Sequence, residues 1–383
     1  MRVAPWVLAC CVALPLAGAR AQGFMAVDEL EFGSEVDFGQ AGRRSGRRAA
    51  SEVSFEAELG LVLRLPAGFA VQAVLDARPA GREEADGGLR GLRAQAAWLD
   101  QLFLRWDGGP VRLFAGKIHP RFGLGWYRAP GLSGDELADV YELDEKIGAG
   151  VRLALLGGPQ PAGQHSLQLE VFHADRSALS GSLVSRRWAL DGPDGRTRYL
   201  SRNRRATGGP DNTAGFRNMV LSLEGEDVRL AGGSLFYTLG HARRLPGDDT
   251  RAEGLGATER GYVAGAGWAF PLGGVTVTPM GEWLRQADAD GLRGLRRQVV
   301  TLGVEAKRGR AGLSYVHAWL AERGTGRGNA RLHTVSGFYE LPWGRGLTAS
   351  LGWSHLRDGD DSSDGFGAQI AFSFPQPEPG DGW

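Results

Sequence analysis

The sequence predicts an all-β chain, a transmembrane antiparallel up-and-down β-barrel of about 16 strands. Three observations carry the prediction. Apolar and polar residues alternate over long stretches, the links between these stretches alternate short and long, and no mature segment is a continuous apolar run.

The alternation is clearest from Val53. Odd positions read Val53, Phe55, Ala57, Leu59, Leu61, Leu63 and Leu65, while even positions include Glu52, Ser54, Glu56, Glu58 and Arg64. Side chains alternate between the two faces of a strand, whereas a helix repeats about every 3.6 residues, so one face here is oily and the other wet. A strand of about 9 to 11 such residues crosses a bilayer, whereas a helix needs about 20 apolar residues in succession.

Taken from the N-terminus, residues 1–21 read as a secretory signal and 22–383 as the barrel. Arg2 supplies the positive start, Val7 to Leu16 a short apolar run, and Ala19-Arg20-Ala21 a small-residue cleavage site. Removal of this segment takes both cysteines, Cys10 and Cys11, and leaves the mature chain without thiol, disulfide or cysteine metal chemistry. Strands are predicted near 28–38, 52–65, 69–77, 96–107, 111–118, 146–155, 165–174, 216–224, 228–239, 260–270, 275–286, 297–307, 311–321, 331–341, 347–356 and 365–374.

The even-numbered links are short, as at 66–68, 107–110, 225–227 and 308–310. The odd-numbered links read as longer and polar: 39–51, 78–95, 119–145, 175–215, 240–259, 287–296, 322–330 and 357–364. Such a chain has its tight turns and both termini at one end of a barrel and its loops at the other. Closure also removes sheet edges, which lipid does not tolerate. Aromatics near strand ends (Trp98, Trp106, Trp268, Phe270, Trp283, Trp319, Phe338, Tyr339, Trp343 and Trp353) fit girdles at the two membrane interfaces.

The 44 bases and 44 acids balance, which argues against a nucleic-acid polyelectrolyte site. All bases but Lys117, Lys146 and Lys307 are arginine, a side chain suited to bidentate contact with anions. The link 119–145 is sharply divided: His119, Arg121, Trp126, Tyr127 and Arg128 precede Asp135, Glu136, Asp139, Glu142, Asp144 and Glu145. Parity points Arg64, Arg105, Arg112 and Arg152 away from the oily face, hence into the lumen. A charge on the lipid face costs about 2 to 4 kcal/mol at mid-membrane. Of the four, only Arg152 reads as mid-strand, with the others near short turns. The link 175–215 carries eight arginines, among them Arg176, Arg186, Arg187 and Arg205.

Signals for catalysis are weak. The seven histidines form no paired ligand spacing, and Gly131-Leu132-Ser133-Gly134-Asp135 lacks the last glycine of a nucleophile elbow. Asp360-x-Ser362-x-Asp364-Gly365 opens like a calcium loop, but Ala371 stands at position twelve. No cofactor, metal or catalytic residue is expected.

With its signal segment, its alternating runs and the closing stretch Phe366-Gly367-Ala368-Gln369-Ile370-Ala371-Phe372-Ser373-Phe374, the chain resembles Gram-negative outer-membrane porins. Ala115 to Gly123 is similar to the strand-to-loop passage of proteobacterial porins, including the phosphate-selective group. The tail Pro375 to Trp383 departs from the family, whose chains usually stop at the strand's aromatic. The resemblance implies a third loop folded into the lumen, with Asp135, Glu136 and Asp139 at a constriction opposite Arg152, Arg64, Arg105 and Arg112. It further implies passive diffusion of small hydrophilic solutes across an outer membrane, a homotrimer, and contact with membrane lipid and lipopolysaccharide. An anion-selective, phosphate-type channel is the alternative, and a lipase barrel a weaker one, since no Ser-His pair can be placed.

Overall fold

The computed structural model describes residues 29–45, 48–79, 89–91, 95–156, 162–185, 209–324, 329–342 and 346–373. The signal segment, Trp343, the tail from Phe374 and the arginines between 186 and 205 lie outside the described residues. The backbone forms one antiparallel sheet of sixteen long strands. The first half holds β1 (Glu29–Ser45), β2 (Arg48–Arg64), β3 (Phe69–Pro79), β4 (Gln95–Gly108), β5 (Val111–Ile118), β6 (Lys146–Leu156), β7 (Gln164–Ala174) and β8 (Asn218–Leu230). The second holds β9 (Gly233–Arg244), β10 (Glu259–Leu272), β11 (Val275–Ala287), β12 (Arg296–Arg308), β13 (Ala311–Arg323), β14 (Ala330–Glu340), β15 (Leu347–Asp358) and β16 (Asp361–Ser373). Short segments Leu89–Gly91 and Val184–Ser185 add to β2 and β4 from neighbouring loops.

Each strand pairs with its sequence neighbour. β1 pairs with β2 on one side and with β16 on the other, from Glu35 opposite Ser373 to Ser45 opposite Ser363, so the succession of pairings returns to its start. Along the described pairings most of the backbone thereby finds partners without water, the condition that lipid imposes, with register breaks at Val74/Leu75, Ala154/Leu156 and Gly225/Val228.

The two faces separate as the alternation predicts. On β13, Ser314, Val316 and Ala318 are buried toward the lumen, while Leu313 and Tyr315 are exposed outside. Leu302, Leu351, Phe366 and Ile370 continue that exposed apolar surface on neighbouring strands. A contiguous apolar surface of this extent is unstable in water and matched to a bilayer. Trp106, Trp268, Trp283, Trp319, Tyr339 and Trp353 share the outward parity. Trp98 and Phe338 do not: Trp98 lies under the inward Arg78 guanidinium, 5.3 Å from its ring centroid, and Phe338 lies under Lys307. Parity decides their direction, and proximity to a strand end does not.

Two parts of the predicted connectivity shift. The turn expected at Gly225 to Asp227 is a bulge in the β8–β9 register, and the chain reverses at Ala231–Gly232, both at positive φ. The links expected at 39–51 and 357–364 are mostly strand: β1 and β2 extend to Ser45 and from Arg48, and β15 turns at Gly359–Asp360 into β16. Polar residues there remain paired because extension depends on a backbone neighbour and not on an oily face. Of the eight odd-numbered links, the long ones are therefore those from 80–94 to 324–329, and the first and last are tight.

Packing inside the barrel sits toward the long-loop end. The link 119–145 leaves β5 at Ile118, enters the lumen and brings Phe122, Ala138, Tyr141 and Leu143 against Phe172, Val220, Ala242, Val263, Leu284 and Val299 of β7 to β12. Leu137 continues the contact onto Val316, Ala318, Ala330 and Leu332 of β13 and β14. Burial of these side chains holds the loop inward. No described helix is long and apolar enough to cross a membrane.

Candidate functional site

The inward loop is fixed to the wall by a few polar contacts at chosen points. The Glu282 carboxylate on β11, 3% exposed, accepts hydrogen bonds from the Leu124 N–H at 2.5 Å, the Gly125 N–H at 2.9 Å and the Tyr141 hydroxyl. Gly125 permits this approach: a Cβ there would lie 2.7 Å from Glu282 Oε1 and 2.6 Å from the Tyr141 hydroxyl. Leu132 N–H donates to Ser336 Oγ on β14 at 3.0 Å, and Arg297 of β12 donates to the Val140 carbonyl at 3.3 Å. Arg297 also bonds Glu322 at 2.7 Å and Asp290 at 2.6 Å, which satisfies a charge that would otherwise be costly to bury. The loop thus crosses to β11–β14 and fills that side of the lumen.

The space left open lies along β2 to β7. There a cavity of about 260 Å³ is lined by Arg78, Arg105, Arg112, Arg121 and Arg152, with Glu58, Asp100, Glu142 and Glu170 as its acids and Trp126 and Tyr127 reaching in from the loop. Arg121 N–H donates to Glu170 at 2.8 Å, and the Arg128 guanidinium to Glu226 at 2.7 Å. His119 meets Asp100 at 3.2 Å. Burial alone would lower the pKa of His119, but this contact and the charges of Asp144 and Glu142 raise it.

All four wall arginines expected from parity point inward. Arg105 donates to Gln72 at 3.3 Å, Asp107 bridges Arg105 at 3.2 Å and Arg112 at 2.5 Å, and Arg112 stands directly opposite Arg152. That register corrects the expected depths: Arg112 shares the level of Arg152, because β5 is short and its first residues pair with the middle of β6. Arg64 is opposite Ala70, an inward residue near the short-turn end, and is not among the lining residues of the cavity.

Asp135, Glu136 and Asp139 are not among the lining residues of the cavity, though Asp139 feels the charge of the lining residue Arg78. Residues 131–137 run along β13 and β14, where a Cβ on Gly134 would meet Val316 at 3.2 Å, so Asp135 and Glu136 sit across the lumen from the cavity. The loop acid that does line the cavity is Glu142. Burial and the neighbouring Asp144 push it up to about 7, against the pull of His119 and Arg78. Asp139 is likewise pushed up to about 7, by burial and by Asp135, Glu142 and Glu136. Sequence reasoning missed Arg78 and Glu282, although both lie on the wet parity of their strands. Neither stands out until the loop's path shows which wall residues it meets.

A closed succession of sixteen antiparallel strands with its third loop laid across the lumen defines the class: an outer-membrane-type β-barrel with a lumen narrowed by a loop. Solved structures share this fold. OprB of Pseudomonas putida at high pH is 12% identical with a TM-score of 0.57 over 90% of this chain and 94% of that one. OpdK of Pseudomonas aeruginosa with vanillate is 11% identical with a TM-score of 0.54, over 92% of this chain and 100% of its own. An anion-selective porin from Comamonas acidovorans is 11% identical with a TM-score of 0.51, over 90% and 99% of the two chains. No protein-family model matches the chain, and no curated protein does.

Proposed function

We propose that the chain is a porin: a passive channel in a Gram-negative outer membrane, admitting small hydrophilic solutes and ions through the passage between the third loop and β2–β7. The observation that carries this reading is the loop itself, which crosses the lumen, is fixed by Glu282 on the far wall, and leaves a charged cavity on the near one. A wetted, charge-lined waist lowers the barrier for polar solutes and gives apolar ones no foothold. No side chain in this account is catalytic, and no cofactor takes part. The test is liposome swelling with neutral sugars of rising size: purified protein should admit small sugars and exclude larger ones. Swelling equal to protein-free liposomes would end the proposal.

Anion preference is a second reading with its own support, because five arginines line the cavity against four carboxylates, and burial pushes the loop acid among them, Glu142, up to about 7. The anion-selective porin among the similar structures has the same fold. Assembly as a homotrimer, implied by the resemblance, belongs to the proposal, and cross-linking in detergent would count the subunits.

A further inference from the structure

Along the chain the histidines show no paired ligand spacing, but the register of the last four strands sets three of them in a row. His317 of β13 is directly opposite His333 of β14, His333 is directly opposite His355 of β15, and His355 is directly opposite Asp364 of β16. The row faces outward, because the alternate positions Val316, Ala318, Leu332, Thr334 and Ser354 are buried toward the lumen. Aromatic rings flank it: the Trp319 centroid lies 5.4 Å from that of His317, and the Trp353 centroid 6.2 Å from that of His355. Arg331 and Arg357, opposite each other, lie two residues nearer the long loops. On the β12 side the neighbours are Val300 and Leu302. Side chains at the level of an aromatic girdle meet water and headgroups as well as acyl chains.

The ring nitrogens are unevenly satisfied. His333 Nδ1 meets the Tyr315 hydroxyl at 3.0 Å, and His355 Nδ1 meets Asp364 at 2.9 Å. With Nδ1–H donating to these oxygens, Nε2 of each ring keeps its lone pair. His317 Nδ1 is shielded from solvent and has no hydrogen-bond partner among the described residues, an orphan that a buried polar atom rarely is. The His317 and His333 centroids lie 4.4 Å apart, with the rings tilted by 33°. Two imidazoles sharing one ion, each nitrogen about 2.1 Å from it, place their centroids about 5 Å apart. Among the described residues no group of three or more His, Cys, Asp or Glu is placed to hold a metal ion, so this pair supplies two ligands and water the rest.

We propose that His317 and His333 bind one divalent transition-metal ion on the outward wall of β13 and β14, copper(II) most tightly. Imidazole suits copper, nickel and zinc, whereas magnesium and calcium take oxygen ligands. Tyr315 orients the His333 ring, as partners behind a ligand do. His355, held by Asp364, stands beside the pair and outside the coordination shell. A bound ion links two adjacent strands at the girdle. The inference does not rest on the pore.

The test uses the full protein, free of any affinity tag, in detergent micelles titrated with Cu2+, Zn2+ or Mg2+ alone. Quenching of tryptophan fluorescence follows Cu2+, because Trp319 stands beside His317, and electron paramagnetic resonance reads the ligands. Wild type should hold one Cu2+ per chain with couplings from two imidazole nitrogens, Zn2+ at least tenfold more weakly, and no Mg2+. His317→Gln and His333→Gln should each lose at least tenfold in Cu2+ affinity while keeping heat-modifiable migration, and His355→Gln less than threefold. Tyr315→Phe should fall between, since it frees a ring without removing a ligand. Undiminished Cu2+ binding by either His317→Gln or His333→Gln, a spectrum without nitrogen couplings, or Mg2+ competing as well as Zn2+ would each overturn the proposal. His355→Gln as damaging as His317→Gln would overturn the two-ligand assignment. A protein that binds Cu2+ in this way but carries no current would sink the porin reading alone, and one that conducts but binds no Cu2+ would sink this inference alone.

Discussion

Replacing Glu282 with alanine should loosen the third loop without unfolding the barrel. The carboxylate accepts two backbone N–H groups, at 2.5 and 2.9 Å, and one hydroxyl. Leaving a buried donor unsatisfied costs about 1 to 3 kcal/mol, so the two N–H groups together shift the docked loop by about 2 to 6 kcal/mol. Even the lower figure changes the docked-to-released ratio about 30-fold, at tenfold per roughly 1.4 kcal/mol. The loop retains its apolar contacts through Phe122, Tyr141 and Leu143, so release should be intermittent and not complete. Single-channel recording in planar bilayers should show Glu282→Ala visiting higher-conductance levels, with increased open-state noise. Glu282→Gln, which keeps one acceptor oxygen, should be intermediate. Tyr141→Phe should be milder still, because the ring keeps its edge contact with Phe122 at 6.3 Å. A folded Glu282→Ala barrel with wild-type conductance and noise would refute the reasoning, since the loop would then be held without this carboxylate.

Arg152→Glu and Arg112→Glu should each move the reversal potential toward cations by similar amounts, because the two stand opposite each other; Arg64→Glu should do so less, and the shifts should shrink at high salt. Burial pushes Glu142 up to about 7, so lowering pH from 8 to 6 should increase anion preference, a step that Glu142→Gln should reduce in reversal-potential measurements. Deleting 131–139 removes the contact with Ser336 and should raise single-channel conductance in a barrel that still migrates as folded. An epitope inserted at 293 should be reached by antibody on intact cells and one at 231 should not; the opposite pattern would reverse the topology.

Much of the barrel was legible because its physics is local. Alternation along Ala57 to Leu65 or Leu313 to Trp319 separates an exposed apolar face from an inner one, and of the arginines read from it as inward, Arg105, Arg112 and Arg152 line the cavity. What local pattern does not contain is register and loop path. Arg112 read as an exit residue until pairing with β6 set it beside Arg152. The polar stretch from Gly39 to Ser51 read as loop because polarity is a poor guide where strands run on with both neighbours paired. The acids of the third loop all looked alike in sequence. Only the crossing to β11–β14 separates Asp135 and Glu136, on the far side, from Glu142 on the cavity. Glu282, 157 residues from its Gly125 partner, had no sequence signal beyond its parity.

The central claim is that this barrel encloses a narrow, charge-lined path across a membrane. Purified protein added to a planar bilayer under a salt gradient tests it most directly. The account predicts discrete, uniform conductance steps and a reversal potential on the anion side that grows as pH falls through 7. A bilayer that remains electrically silent at protein concentrations where folded barrel is demonstrably inserted would contradict it.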